Sequence, residues 1–317
     1  MTVDGTTINN LQPGDEVNGA YALRGKKLLP YRDGKGFFIR LTLADKTGRV
    51  EGLVWEQAEE INKCCRAGDV VQVTGRVTEY NGAIQLNLAS VEKCPDDQVV
   101  PERFISSTGI TREEVWETWL NIAATIKTPP LKQLLLLMAN DQNLMEAMAG
   151  SPAAKHNHHA LLGGLWQHSM GIVKAAEGVA AAYPRVDRDL LVTGALLHDI
   201  GKIEEYRVRA DIDYTDAGRL LGHIVLGAGL VDRYIARVPG FPAVLRLKLL
   251  HMIVSHHGHY EWQSPKRPKF LEAAILHQLD MIDAQVDMFG AATSSGRAPG
   301  DNWTGWVRSL DRYVFCG

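Results

Sequence analysis

The side chains best able to do chemistry crowd into the second half of the chain. All eleven histidines fall between His156 and His277, and none precedes them. His168 sits in Leu165-Trp166-Gln167-His168, within an otherwise apolar stretch. His198-Asp199 ends the run Gly194-Ala195-Leu196-Leu197, and His223 follows Gly222. His256-His257 lies in Ser255-His256-His257-Gly258, and Asp280 stands among apolar residues in Leu276-His277-Gln278-Leu279-Asp280. Imidazole nitrogens and carboxylate oxygens together suit divalent first-row ions: manganese, iron, cobalt, nickel or zinc. A single histidine in an apolar helix is more often a hydrogen-bonded core residue, and one His-Asp pair is weak evidence. The set resists that bland reading. Burying these five histidines and two aspartates in helical cores is costly unless they are paired or hold metal.

The elements that must position them read as helices. Thr111-Arg112-Glu113-Glu114 resembles a capping box that opens a helix from Val115 to Ile126. Thr128-Pro129-Pro130 breaks it, Leu131 to Met138 begins another, and Gly150-Ser151-Pro152 punctuates again. Later helices are expected over Leu161 to Tyr183, Asp189 to His198 and onward, Leu220 to Arg237, Pro242 to His256, and Leu271 to Phe289. The stretch from Ala291 to Asp301, rich in Gly, Ser and Pro, is expected to be a loop.

Residues 11 to 95 read instead as β-structure. Phe37 to Leu43 is rich in strand formers, and Asp45-Lys46-Thr47-Gly48 is a turn before the strand Arg49 to Trp55. Asp69 to Val77 is another strand, and Asn81-Gly82 is a hairpin turn before Ala83 to Leu88. A helix is expected between strands, around Trp55 to Cys65. Four or five short strands in so short a span point to a small closed barrel. The boundary between the two regions is expected near residues 95 to 110.

Composition narrows the function classes. A chain of 317 residues has room for two domains, and 45% apolar residues suffice for their cores. The net charge of −3 advertises neither nucleic acid nor an anionic membrane, so polyanion binding must rest on a local patch. The polar start does not read as a signal peptide, and the apolar run Leu131 to Ala139 is too short to span a bilayer. Cys64, Cys65, Cys94 and Cys316 form no CxxC pair, which argues against a zinc ribbon and for reduced thiols. A cytoplasmic location with no membrane partner is the expectation.

Such a patch exists in the barrel. Arg24, Lys26, Lys27, Arg32, Lys35, Arg40, Lys46 and Arg49 face only Asp33 and Asp45 over the same stretch, with Tyr21, Tyr31, Phe37, Phe38, Trp55 and Tyr80 interleaved. Cations that track a backbone and rings that stack bases are what single-strand binding on such a barrel requires. A solvated basic hairpin with aromatics in the core has about equal standing on sequence alone. Lys266-Arg267, with Lys269, follows His256-His257 and either guides a strand toward the histidines or is an ordinary surface loop.

The order His168, His198-Asp199, Asp280 resembles the HD superfamily of metal-dependent phosphohydrolases, and His223 with His256-His257 resembles the added ligands of members that bind two metals. A closer resemblance spans nearly the whole chain. The residues His159-Ala160, Gly163-Gly164-Leu165, Arg188-Asp189-Leu190-Leu191, Leu197-His198-Asp199-Ile200-Gly201-Lys202 and Tyr214-Thr215-Asp216 belong to it. So do Gly218-Arg219-Leu220-Leu221-Gly222-His223-Ile224, Ser255-His256-His257-Gly258, Ser264-Pro265-Lys266-Arg267-Pro268 and Leu279-Asp280-Met281-Ile282-Asp283-Ala284. Together they look like the YhaM-type 3′–5′ exoribonucleases, although the barrel half matches less specifically.

The resemblance implies a multidomain chain: a small all-β OB-like barrel over 1–100, a helical linker region over 101–150, and an all-α HD domain over 151–317. It implies one or two divalent ions per chain, manganese first among them. Asp199 would bridge them, with His168, His198 and Asp280 completing one site and His223, His256 and His257 the other. Asp199 and Lys202 would be the catalytic residues. Lys202 lies four residues after His198, one turn along the same face if the helix continues, and would reach a phosphate oxygen; otherwise it is an exposed helix lysine. His159 would touch substrate. Asp283 and Asp287, at helical spacing after Asp280, read as a solvated or supporting face.

Three functions compete. The first is a metal-dependent 3′–5′ exonuclease on single-stranded RNA, with single-stranded DNA as a further substrate, releasing nucleoside 5′-monophosphates. The second is an HD phosphohydrolase of a small nucleotide or cyclic dinucleotide, with the barrel as a regulatory module; the absence of Gly-Tyr-Pro after the HD motif weakens it. The third is a non-catalytic nucleic-acid-binding protein with structural metals. Long helical faces also admit a homo-oligomer.

Overall fold

In the computed structural model, residues 7–155, 160–295 and 302–316 are described. The chain divides into two compact units, one of residues 1–106 with 208–212, the other of 107–207 with 213–317.

The first unit is a five-stranded barrel. Its strands are β1 (Glu16–Pro30), β2 (Phe37–Ala44), β3 (Arg49–Val54), β4 (Val70–Tyr80) and β5 (Ala83–Lys93), and helix α1 (Ala58–Cys64) lies between β3 and β4. Alternation drives the closure. Ile39, Leu41 and Leu43 of β2 are fully buried while Arg40 between them is exposed, and Val71, Val73 and Val77 do the same for β4. The strands close in the order β1-β2-β3-β5-β4, with β4 returning to β1. Only β3 and β5 run parallel, and Asn81-Gly82 turns β4 into β5 with Tyr80 paired to Ala83. Trp55 precedes α1, whose first helical residue is Ala58, so the expected helix is shorter than the sequence suggests.

The second unit is helical. Helices α2 (Arg112–Thr125), α3 (Pro129–Ala139) and α4 (Gln142–Gly150) come first, then α5 (Gly164–Ala182), α6 (Arg188–Leu197) and α7 (Lys202–Glu205). After a two-stranded ribbon, β6 (Tyr206–Val208) with β7 (Ile212–Tyr214), come α8 (Asp216–Ile235), α9 (Ala243–Ser255) and α10 (Leu271–Ser295). Sequence reasoning missed the ribbon because three-residue strands leave too little periodicity. The capping box at α2 forms as expected: Thr111 accepts from the Glu114 amide and Glu114 accepts from the Thr111 amide. Trp119, Leu134, Leu135 and Met148 of α2–α4 share one core with Leu190, Leu196, Leu249 and Leu276. Buried Asp189 accepts from the Lys127 and Thr128 amides at 2.7 and 2.6 Å, which ties the α2–α3 turn to α6.

One expectation fails. Residues 291–295, read as loop from their small polar composition, continue α10 to Ser295. The Ala and Thr among them tolerate helix, and an ongoing helix outweighs weak local preference. Among the described residues, no helix is long and apolar enough to cross a membrane.

Candidate metal centre

Five places in the helical unit deliver the candidate ligands. His168 projects from α5 and Asp280 from α10. His198 caps the C-terminus of α6 and His256 that of α9, so His198-Asp199 and His256-His257 stand where each helix stops and the chain turns. His223 follows a break in α8 at Gly222, whose φ of 72° a side chain would strain. At Gly201, a β-carbon would collide with the His223 carbonyl and the Gly227 amide, so glycine lets the turn after Asp199 press against α8.

These side chains converge in two clusters. The ligand atoms of His168, His198 and Asp280 lie within 4.8 Å of one another, as do those of His223, His256 and His257. Asp199 stands between them. Its Oδ2 lies 3.4 Å from His168 Nε2 and 3.5 Å from His198 Nε2. Its Oδ1 lies 3.4 Å from both His223 Nε2 and His256 Nε2. His168 Nε2 is also 3.4 Å from Asp280 Oδ1.

Hydrogen bonds behind the rings fix which nitrogen faces inward. The Nδ1–H groups of His198, His256 and His257 donate to the carbonyls of Ala195, Ile253 and Trp262 at 2.8, 2.7 and 2.8 Å. A carbonyl can only accept, so the Nε2 lone pair of each neutral ring points into the clusters. His168 donates from Nδ1 to Asp283 at 2.7 Å, and His223 from Nδ1 to Glu205 at 3.2 Å, with its amide on the same oxygen at 3.0 Å. Carboxylates behind ligating imidazoles orient them and raise their basicity.

Divalent ions fit this arrangement. The buried atoms Asp199 Oδ1, His223 Nε2 and His256 Nε2 have no hydrogen-bond partner. With neutral rings all three are acceptors, and leaving each buried and unpaired costs about 1–3 kcal/mol. Nitrogen and oxygen ligands about 2.1 Å from one ion, at tetrahedral or octahedral angles, lie about 3.0–3.4 Å apart. The separations around Asp199 match that spacing.

Electrostatics hold Asp199 charged and His198 and His257 neutral, the forms that ligate. Burial would raise the Asp199 carboxyl, but Lys202 and the imidazoles hold it well below the usual carboxylate range. Burial pushes His198 down to about 4, and burial with neighbouring His256 and His223 pushes His257 to about 4. For His256 burial acts downward, yet Asp199 draws its pKa above the ordinary value. Lys202 differs from its expected placement. Helix α6 ends before His198 and Lys202 starts α7, so it is reached by a turn rather than by one continuing helix face. Its side chain is only 14% exposed and its ammonium lies 2.6 Å from Asp199 Oδ2, which overturns the exposed-lysine alternative.

An HD domain model matches residues 165–285, and a model described as an OB-fold nucleic acid binding domain matches residues 23–93. The 3′-5′ exoribonuclease YhaM of Halalkalibacterium halodurans is 32% identical over 96% of this chain and 93% of its own length. The enzyme of the same name from a Geobacillus species is 32% identical over 88% of this chain and 85% of its own. This chain belongs to the YhaM-type 3′–5′ exoribonuclease family. Its His and Asp clusters have the composition of a metal-dependent hydrolase active site.

In this YhaM-type chain the barrel carries its own candidate surface. Tyr31, Phe38 and Trp55 stack nearly parallel, with Phe38 and Trp55 centroids 4.8 Å apart and Tyr31 and Trp55 6.1 Å apart. The Tyr31 hydroxyl donates to the Trp55 carbonyl. Trp55 is 45% exposed, whereas Tyr21 is in the core. Phe37 is exposed beside the stack but not part of it. Lys27, Arg32 and Lys35 are exposed. Arg24 is engaged by the Ala210 carbonyl and Asp211, Lys26 by the Asn62 carbonyl, and Arg40 by Glu51 at 3.5 Å. In the helical unit Lys266 and Arg267 are exposed, and His159 lies outside the described residues.

Two supporting residues escaped or nearly escaped the sequence. Asp283 had helical spacing from Asp280 as its signal. Glu205 had none, because the β6–β7 ribbon turns the chain back and brings Glu205 to His223.

Proposed function

We propose that this chain is a metal-dependent 3′–5′ exoribonuclease that holds two divalent ions, manganese first among candidates, across Asp199. The observation carrying this reading is that the two Asp199 oxygens face separate clusters, each rich in inward-pointing imidazole nitrogens. His168, His198 and Asp280 would hold one ion; His223, His256 and His257 the other. When bound, such ions lower the pKa of water and neutralise charge growing on phosphoryl oxygens.

The chain's own groups do the rest. Asp199 keeps its charge at neutral pH because Lys202 is fixed beside it, and so serves both clusters at once. Lys202 commits one N–H to Asp199 and keeps two to offer a phosphoryl oxygen. Asp283 and Glu205 hold His168 and His223 at fixed angles. Water attacks phosphorus and the bond to the 3′ oxygen of the preceding nucleotide breaks. A nucleoside 5′-monophosphate leaves, and the proton ends on the shortened strand's 3′ hydroxyl. The ring stack of Tyr31, Phe38 and Trp55, with Lys27, Arg32 and Lys35, supports single-stranded RNA as substrate, since rings accept bases of any sequence. Lys266 and Arg267 are further contacts for its backbone.

Incubation of 5′-end-labelled single-stranded RNA with the protein and manganese tests this. The expected result is a ladder shortening from the 3′ end, abolished by Asp199→Ala. Intact RNA alongside hydrolysis of mononucleotides or cyclic dinucleotides would overturn it in favour of a small-nucleotide phosphohydrolase.

A further inference from the structure

We propose that Lys155, Arg207 and Arg219, gathered on Asp213, form a phosphate-binding subsite that holds the substrate strand beside the metal centre. This rests on the nucleic-acid reading above and adds residues to it. Lys155 Nζ lies 2.7 Å from Asp213 Oδ1, and Arg207 Nη2 lies 3.3 Å from Oδ2. Arg219 Nη2 reaches both oxygens, at 3.1 and 3.2 Å. Three cations share one carboxylate, so two positive charges are left over. Elsewhere the balance is different. Outside the metal centre, carboxylates match or outnumber cations in groups such as Arg188 with Glu177 and Asp189 or Arg246 with Asp232. Nearby Glu204 is taken by Arg233 and Glu205 by His223.

The excess is held in place rather than scattered. The Tyr214 ring lies 5.5 Å from the Lys155 ammonium and 5.9 Å from the Arg219 guanidinium, which steadies both cations. A hydrogen bond from Lys155 keeps the Asp213 carboxyl far below its ordinary range, so the template stays charged. Among the described residues each guanidinium commits only Nη2 to Asp213, and the Arg207 and Arg219 side chains are 54% and 59% exposed. Their remaining N–H groups form a fork suited to phosphate oxygens. The group is also tied to the metal centre. Arg219 stands four residues before His223 on α8, and Tyr206, next to Arg207, follows the Glu205 that grips His223.

The test is binding of full-length protein to a fluorescein-labelled single-stranded RNA in EDTA, by anisotropy, over a series of salt concentrations. Arg207→Ala with Arg219→Ala is expected to raise the dissociation constant about 10–100-fold, the effect of removing charge-assisted hydrogen bonds. The slope of log affinity against log salt should fall by about 1.4, because two phosphates of a single strand are no longer neutralised by the protein. Arg219→Lys keeps the charge but not the fork, so it should hold the parent's salt slope and lose part of the affinity, a split that a merely structural role for the guanidinium would not produce. Thermal melting of each variant checks folding. If the double variant binds within twofold of the parent with an unchanged slope, the subsite is wrong, even where the parent degrades RNA. If the parent binds RNA in this manner but cuts none with manganese, the exoribonuclease reading fails and the subsite stands on the binding data.

Discussion

In the barrel, the candidate surface is assembled from neighbours: Tyr31 just after β1, Phe38 on β2 and Trp55 just after β3 stack at the surface. In the helical unit, the candidate ligands come from α5, the ends of α6 and α9, the middle of α8 and α10, and they meet in the interior. Recognition of a flexible strand tolerates exposed groups, because water can be displaced from rings and cations one at a time. Holding ions requires lone pairs aimed at one point, and burial keeps them there by making misdirection costly. The same contrast appears in the charges. The barrel's cations are partly neutralised singly, as with Arg40 and Glu51, whereas Asp199 serves four imidazoles and a lysine at once.

The contrast can be broken by substitutions in order of expected effect. Asp199→Ala should remove both ions and cut hydrolysis about a thousandfold or more, since several kcal/mol of charge stabilisation disappear. Metal analysis of the purified variant checks this, and a parent-like metal content would overturn the bridging role. Glu205→Ala or Asp283→Ala should each weaken binding of one ion equivalent about 10–100-fold and leave the other near the parent value. Calorimetric manganese titration reads the two equivalents separately. Trp55→Ala should leave metal content alone and weaken single-stranded RNA binding by about 1–3 kcal/mol, the worth of one base stacked on a ring. Equal loss of metal and RNA affinity there would mean that the two regions are not the separate devices described.

The smallest effect lies in the helical unit but outside the ligand clusters, and serves as the control for stability. Asp189→Asn should cost about 1 kcal/mol at pH 7, the difference between charged and neutral acceptors for the Lys127 and Thr128 amides. Burial would raise the Asp189 carboxyl, but those amides and Arg188 draw it below its ordinary value. Its folded pKa is depressed, so its stabilisation is complete above about pH 4 and is lost as pH falls through the lower folded value. Urea unfolding at pH 7 and pH 3 should therefore show the gap between parent and variant closing at the lower pH.

Local patterns in the chain were legible where they answer to local physics. The alternation of Ile39, Leu41 and Leu43, the Asn81-Gly82 turn and the Thr111–Glu114 capping box need only neighbours in sequence, and each forms as read. The extension of α10 through residues 291–295 was not legible, because small polar residues permit both loop and helix and the preceding turns decide. The aromatic stack was half legible: surface and core placements of the rings had equal standing in the sequence, and Phe38 rather than Phe37 joins the stack, a choice of strand face.

By itself the sequence determined which side chains could bind ions, their order along the chain, and that a barrel precedes helices, since residue type and period carry that information. Only the tertiary structure decided that Asp199 turns one oxygen to each cluster, that Lys202 lies against it through a turn, and that Glu205 and Asp283 stand behind His223 and His168. It alone gathered Lys155, Arg207 and Arg219 around Asp213. The reason is that these are meetings between residues far apart in the chain. Helix ends, a break at Gly222 and the tight approach at Gly201 set them, and no sequence spacing encodes a distance across a fold.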